Sequence, residues 1–180
     1  MHEIWVYCGG KWLQVGKSGA PDSVRRSAYI EKVELMFLGQ YDHTIDEKGR
    51  ITFPSRFREM LADGAYITQG FDQNLTVMTS SRWNLLYERI SKMNTADPKI
   101  RSLQRFLFSN AAKIEFDNAG RFIIPQFLRD SSHLDGSAIV IGVGEIIEIW
   151  SPDLWAEQIK KLADPEISAQ NFNSLDLTLS

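Results

Sequence analysis

Two stretches of the 180-residue chain match each other: DEKGRITFP at residues 46–54 and DNAGRFIIP at residues 117–125. Aspartate, glycine, arginine and proline coincide in the two stretches, which lie 71 positions apart. Further along, Gly70 matches Gly142 at a displacement of 72, so one residue is inserted between these blocks. A repeat on this scale defines the architecture before any single element is assigned. The chain is therefore predicted to contain two copies of one unit.

Each copy contains the same predicted elements in the same order. An alternating apolar run leads into the Asp-x-x-Gly-Arg turn, and a second short run ends at proline, which is typical of a β-hairpin. The proline begins a short helix and two more strands follow. Ser80 or Ser81 in the first copy and Ser151 in the second then cap an amphipathic helix. The predicted unit is β-β-α-β-β-α, which makes the fold α+β. The predicted runs are residues 41–45, 51–53, 55–61, 65–70 and 75–78 in the first copy, and 112–116, 122–124, 126–130, 138–142 and 146–150 in the second.

The repeat also sets the expected domain organisation. The first unit covers residues 36–93 and the second covers residues 111–163. Residues 94–110 are expected to form a turn and a helix that connects the copies, because apolar residues recur there at helical spacing. Residues 164–180 are polar and are expected to form a mobile tail. Residues 1–35 have no repeat partner and form an N-terminal extension. Of an added arm, a fusion scar and a translation start placed too early, we favour the last.

Composition excludes several classes of protein. With 43% hydrophobic and 24% charged residues, the chain can bury an ordinary globular core. The single cysteine, Cys8, cannot form an internal disulfide, and the three histidines are not clustered at metal-ligand spacing. No metal site or cofactor is therefore expected. No window reaches the roughly 18 to 20 apolar residues of a membrane span, and no secretory signal is recognisable. We expect a cytoplasmic protein with no membrane partner.

The repeated turn suits a structural ion pair. An aspartate four residues before an arginine, with glycine just ahead of the arginine, allows carboxylate and guanidinium to close on each other. Glycine supplies the positive φ that such a tight loop commonly needs. We assign this structural role to Asp46, Gly49, Asp117, Gly120 and Arg121.

The two copies differ in charge, although the whole chain carries a net charge of only −3. Residues 36–110 contain ten basic and eight acidic residues, whereas residues 111–180 contain five basic and eleven acidic residues. The first turn and its helix carry Lys48, Arg50, Arg56 and Arg58, where the second copy has Ala119, Arg121, Phe127 and Arg129. A turn that carries arginine can enter a major groove, where guanidinium pairs with guanine and neighbouring lysines bind phosphate. These four cations are therefore the candidate DNA-binding residues, with Arg50 as the base reader. For Arg56 and Arg58, a solvated helix face is an equally good interpretation.

The doubled motif resembles the MraZ family, whose members contain two tandem AbrB/SpoVT-like swapped-hairpin units. The resemblance rests on residues 46–54 and their repeat at residues 117–125, and it extends from residues 36–39 into the tail. For the fold, it implies a pseudo-two-fold β-barrel core with flanking helices. For the function, it implies a transcriptional regulator, usually a repressor, of the division and cell-wall gene cluster. It also implies binding to helically spaced TGG-containing direct repeats, a ring homo-oligomer and association with the nucleoid.

The resemblance carries over to individual positions of the turn. The turn arginine that the family ties to DNA binding corresponds to Arg50. The second turn departs from the first, because Asn118 and Ala119 stand where the first turn has Glu47 and Lys48. That departure argues against DNA contact by the second turn.

Two competing functions were weighed against this interpretation. An enzyme is disfavoured because residues 142–144 lack the third glycine of a dinucleotide fingerprint and lead into an apolar strand, which indicates a hairpin turn. His43 and His133 have no nucleophile near them in sequence, so no catalytic residue is assigned. The main alternative is an AbrB-like antitoxin or oligomeric protein-interaction module, in which the chain from Asp164 onward binds a protein partner. Two units with a short tail favour the regulator.

Overall fold

The computed structural model describes residues 4–8, 11–15 and 36–163. The sequence patterns predict no element in the N-terminal extension, but the structure contains two strands there. Strand β1 (Ile4–Cys8) pairs antiparallel with β2 (Lys11–Val15). The tail expected at residues 164–180 lies outside the described residues, as does the rest of the extension.

The chain divides into two compact units, Met1–Met36 and Phe37–Ser180. The second unit contains both copies of the repeat. Its first copy consists of β3 (Phe37–Thr44), β4 (Arg50–Thr52), α1 (Ser55–Met60), β5 (Ala65–Gln69), β6 (Leu75–Thr79) and α2 (Ser80–Ser91). Helix α3 (Pro98–Ser109) follows, and the second copy consists of β7 (Ala112–Ile114), β8 (Arg121–Ile123), α4 (Gln126–Ser131), β9 (Ser137–Gly144), β10 (Ile146–Trp150) and α5 (Pro152–Ala163). The order is β-β-α-β-β-α in each copy, as predicted, and the fold is α+β.

The longer helices begin at polar caps. Helix α2 is capped by Thr79, whose side chain accepts a hydrogen bond from the backbone amide of Arg82 at 3.3 Å. The prediction of Ser80 or Ser81 as this cap was therefore wrong by one residue or two. Asp97 caps α3 by accepting from the amide of Lys99 at 2.8 Å. Such caps satisfy backbone amides that have no partner inside the helix.

The strands of the second unit form one large sheet and one small ribbon. Six antiparallel strands lie in the order β3-β9-β10-β6-β5-β7, while β4 and β8 pair only with each other. The large sheet is open, with β3 and β7 at its edges, so the closed barrel implied by the resemblance is not seen. The three-residue β7 pairs with β5 from Ala65↔Ile114 to Ile67↔Ala112, and β3 and β7 lie at opposite edges of the sheet and are not hydrogen-bonded to each other.

Strands of one copy pair with strands of the other. The hairpin predicted between residues 41–45 and 51–53 is wrong in its pairing, because β3 pairs with β9 from Phe37↔Gly144 to Thr44↔Ser137. Strand β4 pairs instead with β8. The turn at residues 46–50 is closed at its base, and the two strands then diverge to partners in the second copy. Strand β3 forms eight residue pairs with β9, whereas the three-residue β4 could offer it only three, so pairing with β9 gives the larger stabilisation.

Both copies contribute to one buried core. Phe57 and Leu128, which occupy equivalent positions of the repeat, are fully buried in it. The rings of Phe53 and Phe122 lie 4.9 Å apart at a steep angle, the edge-to-face arrangement that aromatic pairs prefer. A smaller cluster contains Trp150 beneath helix α5. The main core is therefore built jointly by the two copies, and the smaller cluster belongs to the second copy.

Candidate nucleic-acid interface

The first-copy turn is closed by the carboxylate of Asp46. One carboxylate oxygen accepts the backbone amides of Lys48 and Arg50 at 3.0 and 2.9 Å, and the other accepts Nε of Arg50 at 2.7 Å. The amide of Gly49 donates to the Asp46 carbonyl at 2.8 Å. The carboxylate therefore orients the guanidinium of Arg50. The Arg50 side chain is 28% exposed.

The second-copy turn has the same geometry. Asp117 accepts the backbone amides of Ala119 and Arg121 at 2.9 Å each and Nε of Arg121 at 3.0 Å. The amide of Gly120 donates to the Asp117 carbonyl at 2.8 Å. Because the bonds agree so closely, backbone geometry does not distinguish the two turn arginines. A difference in their function must come from the residues around them.

Hydrogen bonding favours the ionised form of both turn aspartates. The backbone amide of Arg50, aided by its side chain and by the Lys48 amide, lowers the pKa of Asp46 from its usual value. The Arg121 amide and side chain lower the pKa of Asp117 in the same way. Each carboxylate partly neutralises the charge of its arginine. An additional cation beside the turn would therefore strengthen the attraction of the turn for an anion such as a phosphate.

Lys48 supplies such a cation at the first turn. Its side chain is exposed, whereas the second turn has Ala119 at this position. Arg56 is also exposed and lies on α1. The structure therefore places Lys48, Arg50 and Arg56 where solvent can reach all three.

Arg58 does not lie at the first turn, contrary to the grouping based on the sequence. Its Nε donates to the carbonyl of Phe53 at 3.2 Å, and it is half-buried. A Cβ atom built on Gly120 would lie 2.8 Å from Cζ of Arg58, so this guanidinium covers the second-copy turn. The pairing of β4 with β8 explains the difference, because it sets the end of β4 and the start of α1 beside the other copy's turn.

Arg129 is the residue that sequence reasoning missed. It lies on α4 in the second copy, but a Cβ atom on Gly49 would lie 2.8 Å from its Cζ. The first turn therefore has Lys48, Arg50 and Arg129 around it. The sequence did contain a pattern that pointed to Arg129, because Arg58 and Arg129 occupy equivalent positions of the repeat. That signal indicates a shared role but not which turn each arginine covers.

Within residues 36–163 and the two N-terminal strands, no three histidine, cysteine or acidic side chains come together as a metal site would require. In the same part of the chain, no helix combines the length and apolar character of a membrane span. Residues 142–144 belong to strand β9, and Ile146 pairs back with Val143, so the expected hairpin is present but its turn lies at residues 144–145.

Known proteins are similar to this chain over most of its length. Residues 36–106 and 107–176 each match the family described as "MraZ protein, putative antitoxin-like". A "Transcriptional regulator MraZ" from Thermomicrobium roseum is 42% identical over 128 residues, which cover 71% of this chain and 90% of the relative. The protein of that name from Roseiflexus castenholzii is 40% identical over 141 residues, covering 78% and 99%. That from Alkaliphilus metalliredigens is 44% identical over 122 residues, covering 68% and 85%.

Proposed function

The chain belongs to the MraZ family, and on that premise we propose that it is a DNA-binding transcriptional regulator that reads its operator with the first-copy turn. The family is one of transcriptional regulators and not of enzymes. One observation carries the assignment to the first turn. Lys48 is exposed beside Arg50 there, whereas Ala119 occupies the matching position of the second turn.

The chemistry of the turn fits a major groove. Asp46 binds Arg50 at Nε, and in the proposed complex the two outer nitrogens of the guanidinium face the bases. Those nitrogens form the fork that pairs with O6 and N7 of guanine. Lys48 and Arg56 would bind phosphates on either side and so hold the turn in register.

We further infer that the protein represses the division and cell-wall gene cluster from repeats that contain TGG and lie about one helical turn apart. One turn with a few cations binds DNA weakly at cellular salt, and linked turns can raise the affinity by ~10²-fold or more. Spacing of one helical turn presents each repeat on the same side of the duplex. This binding would place the protein in the cytoplasm, on the nucleoid.

A ring homo-oligomer would supply the linked turns. Large apolar side chains are exposed along and beside α2, with Phe71 75%, Leu85 62% and Tyr87 53% exposed. Phe71 and Leu85 border a groove of about 640 Å³ between α2, α3 and the sheet. Exposed apolar surface of this kind is typical of interaction sites. We propose that a second molecule of this protein covers this surface. We also propose that the exchange of strands between the two repeat units of one chain is an intramolecular form of the swapped hairpin.

Binding of the purified protein to the DNA upstream of its own coding sequence tests the function. We expect a shift at low salt that weakens as salt rises, a footprint with a period of about one helical turn, and competition by TGG repeats but not by scrambled repeats. Absence of a shift at low salt would reject the regulator. Light scattering tests assembly, for which Leu85→Asp should reduce the mass and the adjacent Asn84→Asp should not. A wild-type monomer would reject the ring.

A protein-binding antitoxin is the second candidate, because the family description includes the term "antitoxin-like". The two functions differ in what the protein does alone. A regulator binds its operator without any other protein, whereas a module that acts only on a protein partner leaves the operator unshifted. The gel-shift experiment therefore separates them.

A further inference from the structure

We propose that Arg129, from the second copy, is a positioning residue for the DNA-reading turn of the first copy. The inference rests on the proposed function, because it assigns a role at the same surface. It goes further in assigning the support of that turn to a residue about 80 positions away in the chain. Proximity in sequence instead groups Arg58 with this turn, as a candidate DNA-binding residue.

Two contacts from the second copy hold Gly49. The backbone amide of Ile124 donates to the Gly49 carbonyl at 2.9 Å. Arg129 donates from Nε to the carbonyl of the same Ile124 at 3.2 Å and from Nη2 to Oε1 of Gln126. These bonds orient the planar guanidinium against the turn. The first turn is therefore held by a hydrogen bond to its backbone and by the Arg129 guanidinium that lies against Gly49.

Gly49 permits this contact by having no side chain. Its φ is +76°, in the left-handed region that glycine adopts without strain. Any side chain at this position would also collide with the Arg129 guanidinium. Gly49 is therefore needed both for its backbone conformation and for the close approach of Arg129.

The reciprocal contact provides an internal control. Arg58 donates from Nε to Phe53 at 3.2 Å and covers Gly120, just as Arg129 donates to Ile124 and covers Gly49. Each arginine binds the equivalent backbone carbonyl and covers the glycine of the opposite turn, and Arg129 also binds Gln126 where the first copy has Ser55, so both substitutions should lower global stability. They differ in the turn that each supports, and only the first turn is proposed to read bases.

Hydrogen exchange of the full-length protein tests positioning without DNA. In Arg129→Ala, the amides of residues 48–50 should exchange faster while those of residues 119–121 remain as in the wild type. Arg58→Ala should give the reverse pattern. Equal effects on both turns, or none, would overturn the proposal. Arg129→Lys keeps the charge and the stem, so it provides the same readout if the alanine variant fails to fold.

Operator affinity and its salt dependence complete the test. We expect Arg129→Ala to weaken operator binding by about tenfold or more and Arg58→Ala to change it by less than about threefold. The slope of log affinity against log salt should stay at the wild-type value for Arg129→Ala. A slope reduced by about 0.9 would mean that Arg129 binds phosphate directly, and it would overturn the positioning role.

The two possible failures are distinguishable. Wild-type protein that binds no operator rejects the proposed function and, with it, the role in DNA reading. Wild-type protein that binds while Arg129→Ala binds equally well rejects the inference alone. If operator affinity fell more with Arg58→Ala than with Arg129→Ala, Arg58 and not Arg129 would be the arginine that serves the first turn.

Discussion

Ile51 and Phe122 pair directly with each other in the ribbon of β4 and β8, and they also occupy equivalent positions of the sequence repeat. Because equivalent residues of the two copies face each other in an antiparallel pair, a pseudo-two-fold axis relating the copies passes between them. The pair joins the copies at the centre of the core, where each side chain is 1% exposed. The flanking pairs, Arg50↔Ile123 and Thr52↔Arg121, set the turn arginines at opposite ends of the ribbon.

Phe122→Ala should therefore lower the free energy of unfolding by about 3–5 kcal/mol, because it leaves a cavity where both copies meet. Ile123→Ala is the matched control, since Ile123 is 60% exposed and should change stability by less than about 0.5 kcal/mol. Urea unfolding followed by fluorescence measures both. A small loss for Phe122→Ala would contradict a core shared by the two copies.

Arg50→Ala should abolish specific operator binding, whereas Arg121→Ala should mainly affect stability. The structure sharpens this comparison, because each arginine forms an ion pair with the aspartate of its own turn, Arg50 through Nε at 2.7 Å and Arg121 through Nε at 3.0 Å and Nη2 at 2.9 Å. Each substitution should therefore lower the free energy of unfolding only slightly, because solvent-exposed ion pairs contribute little to stability. Gel shifts, with light scattering for assembly, measure the outcome. Equal loss of DNA binding in both variants with assembly intact would contradict the assignment of the first turn as the reader.

The turn aspartates should make stability fall in acid. Their folded-state pKa values are lowered by hydrogen bonds, so the unfolded chain binds more protons as pH falls below about 4. Their stabilisation is complete above the unfolded pKa and is lost as pH falls through the folded pKa. The double variant Asp46→Asn/Asp117→Asn should thus be less stable than wild type at pH 7, with the difference shrinking in acid. Unfolding free energies measured from pH 7 down to 2 would contradict this if the difference stayed constant.

Thr68 should stabilise the attachment of α3 to the sheet. Its hydroxyl donates to the carbonyl of Leu107 at 2.9 Å, and both residues are buried. Leu107 lies in the last turn of α3, where carbonyls lack partners inside the helix. Thr68→Val should cost about 1–3 kcal/mol, because it leaves a buried acceptor unpaired. Thr76→Val, at the half-buried cross-strand partner of Thr68, should cost less in the same thermal unfolding measurement.

Much of the local structure could be predicted from the residues themselves. The Asp46–Arg50 and Asp117–Arg121 pairs were expected from four-residue spacing alone, because both partners belong to the same turn. Strand β10 was predicted with its observed bounds, and β5 and β6 to within one residue. In each case, turn residues or proline mark the ends within a few positions of the element.

The composition of the site was harder to predict, because it depends on contacts between the copies. Arg58 was grouped with Lys48 and Arg50 by proximity in sequence, but it covers Gly120 of the other turn. Alternation within a strand indicates which face is buried, but it does not identify the neighbouring strand. The pairing of β4 with β8 therefore could not be inferred from either copy alone.

Short-range chemistry thus accounts for the doubled unit, its two ionic turns and its family, since all of these depend on spacings of a few residues or on the repeat itself. Which strands pair, and which arginine supports which turn, depended on how the two copies fold around one core. Those choices are made by burial and hydrogen bonding between residues far apart in the chain, whose free energies no local spacing encodes.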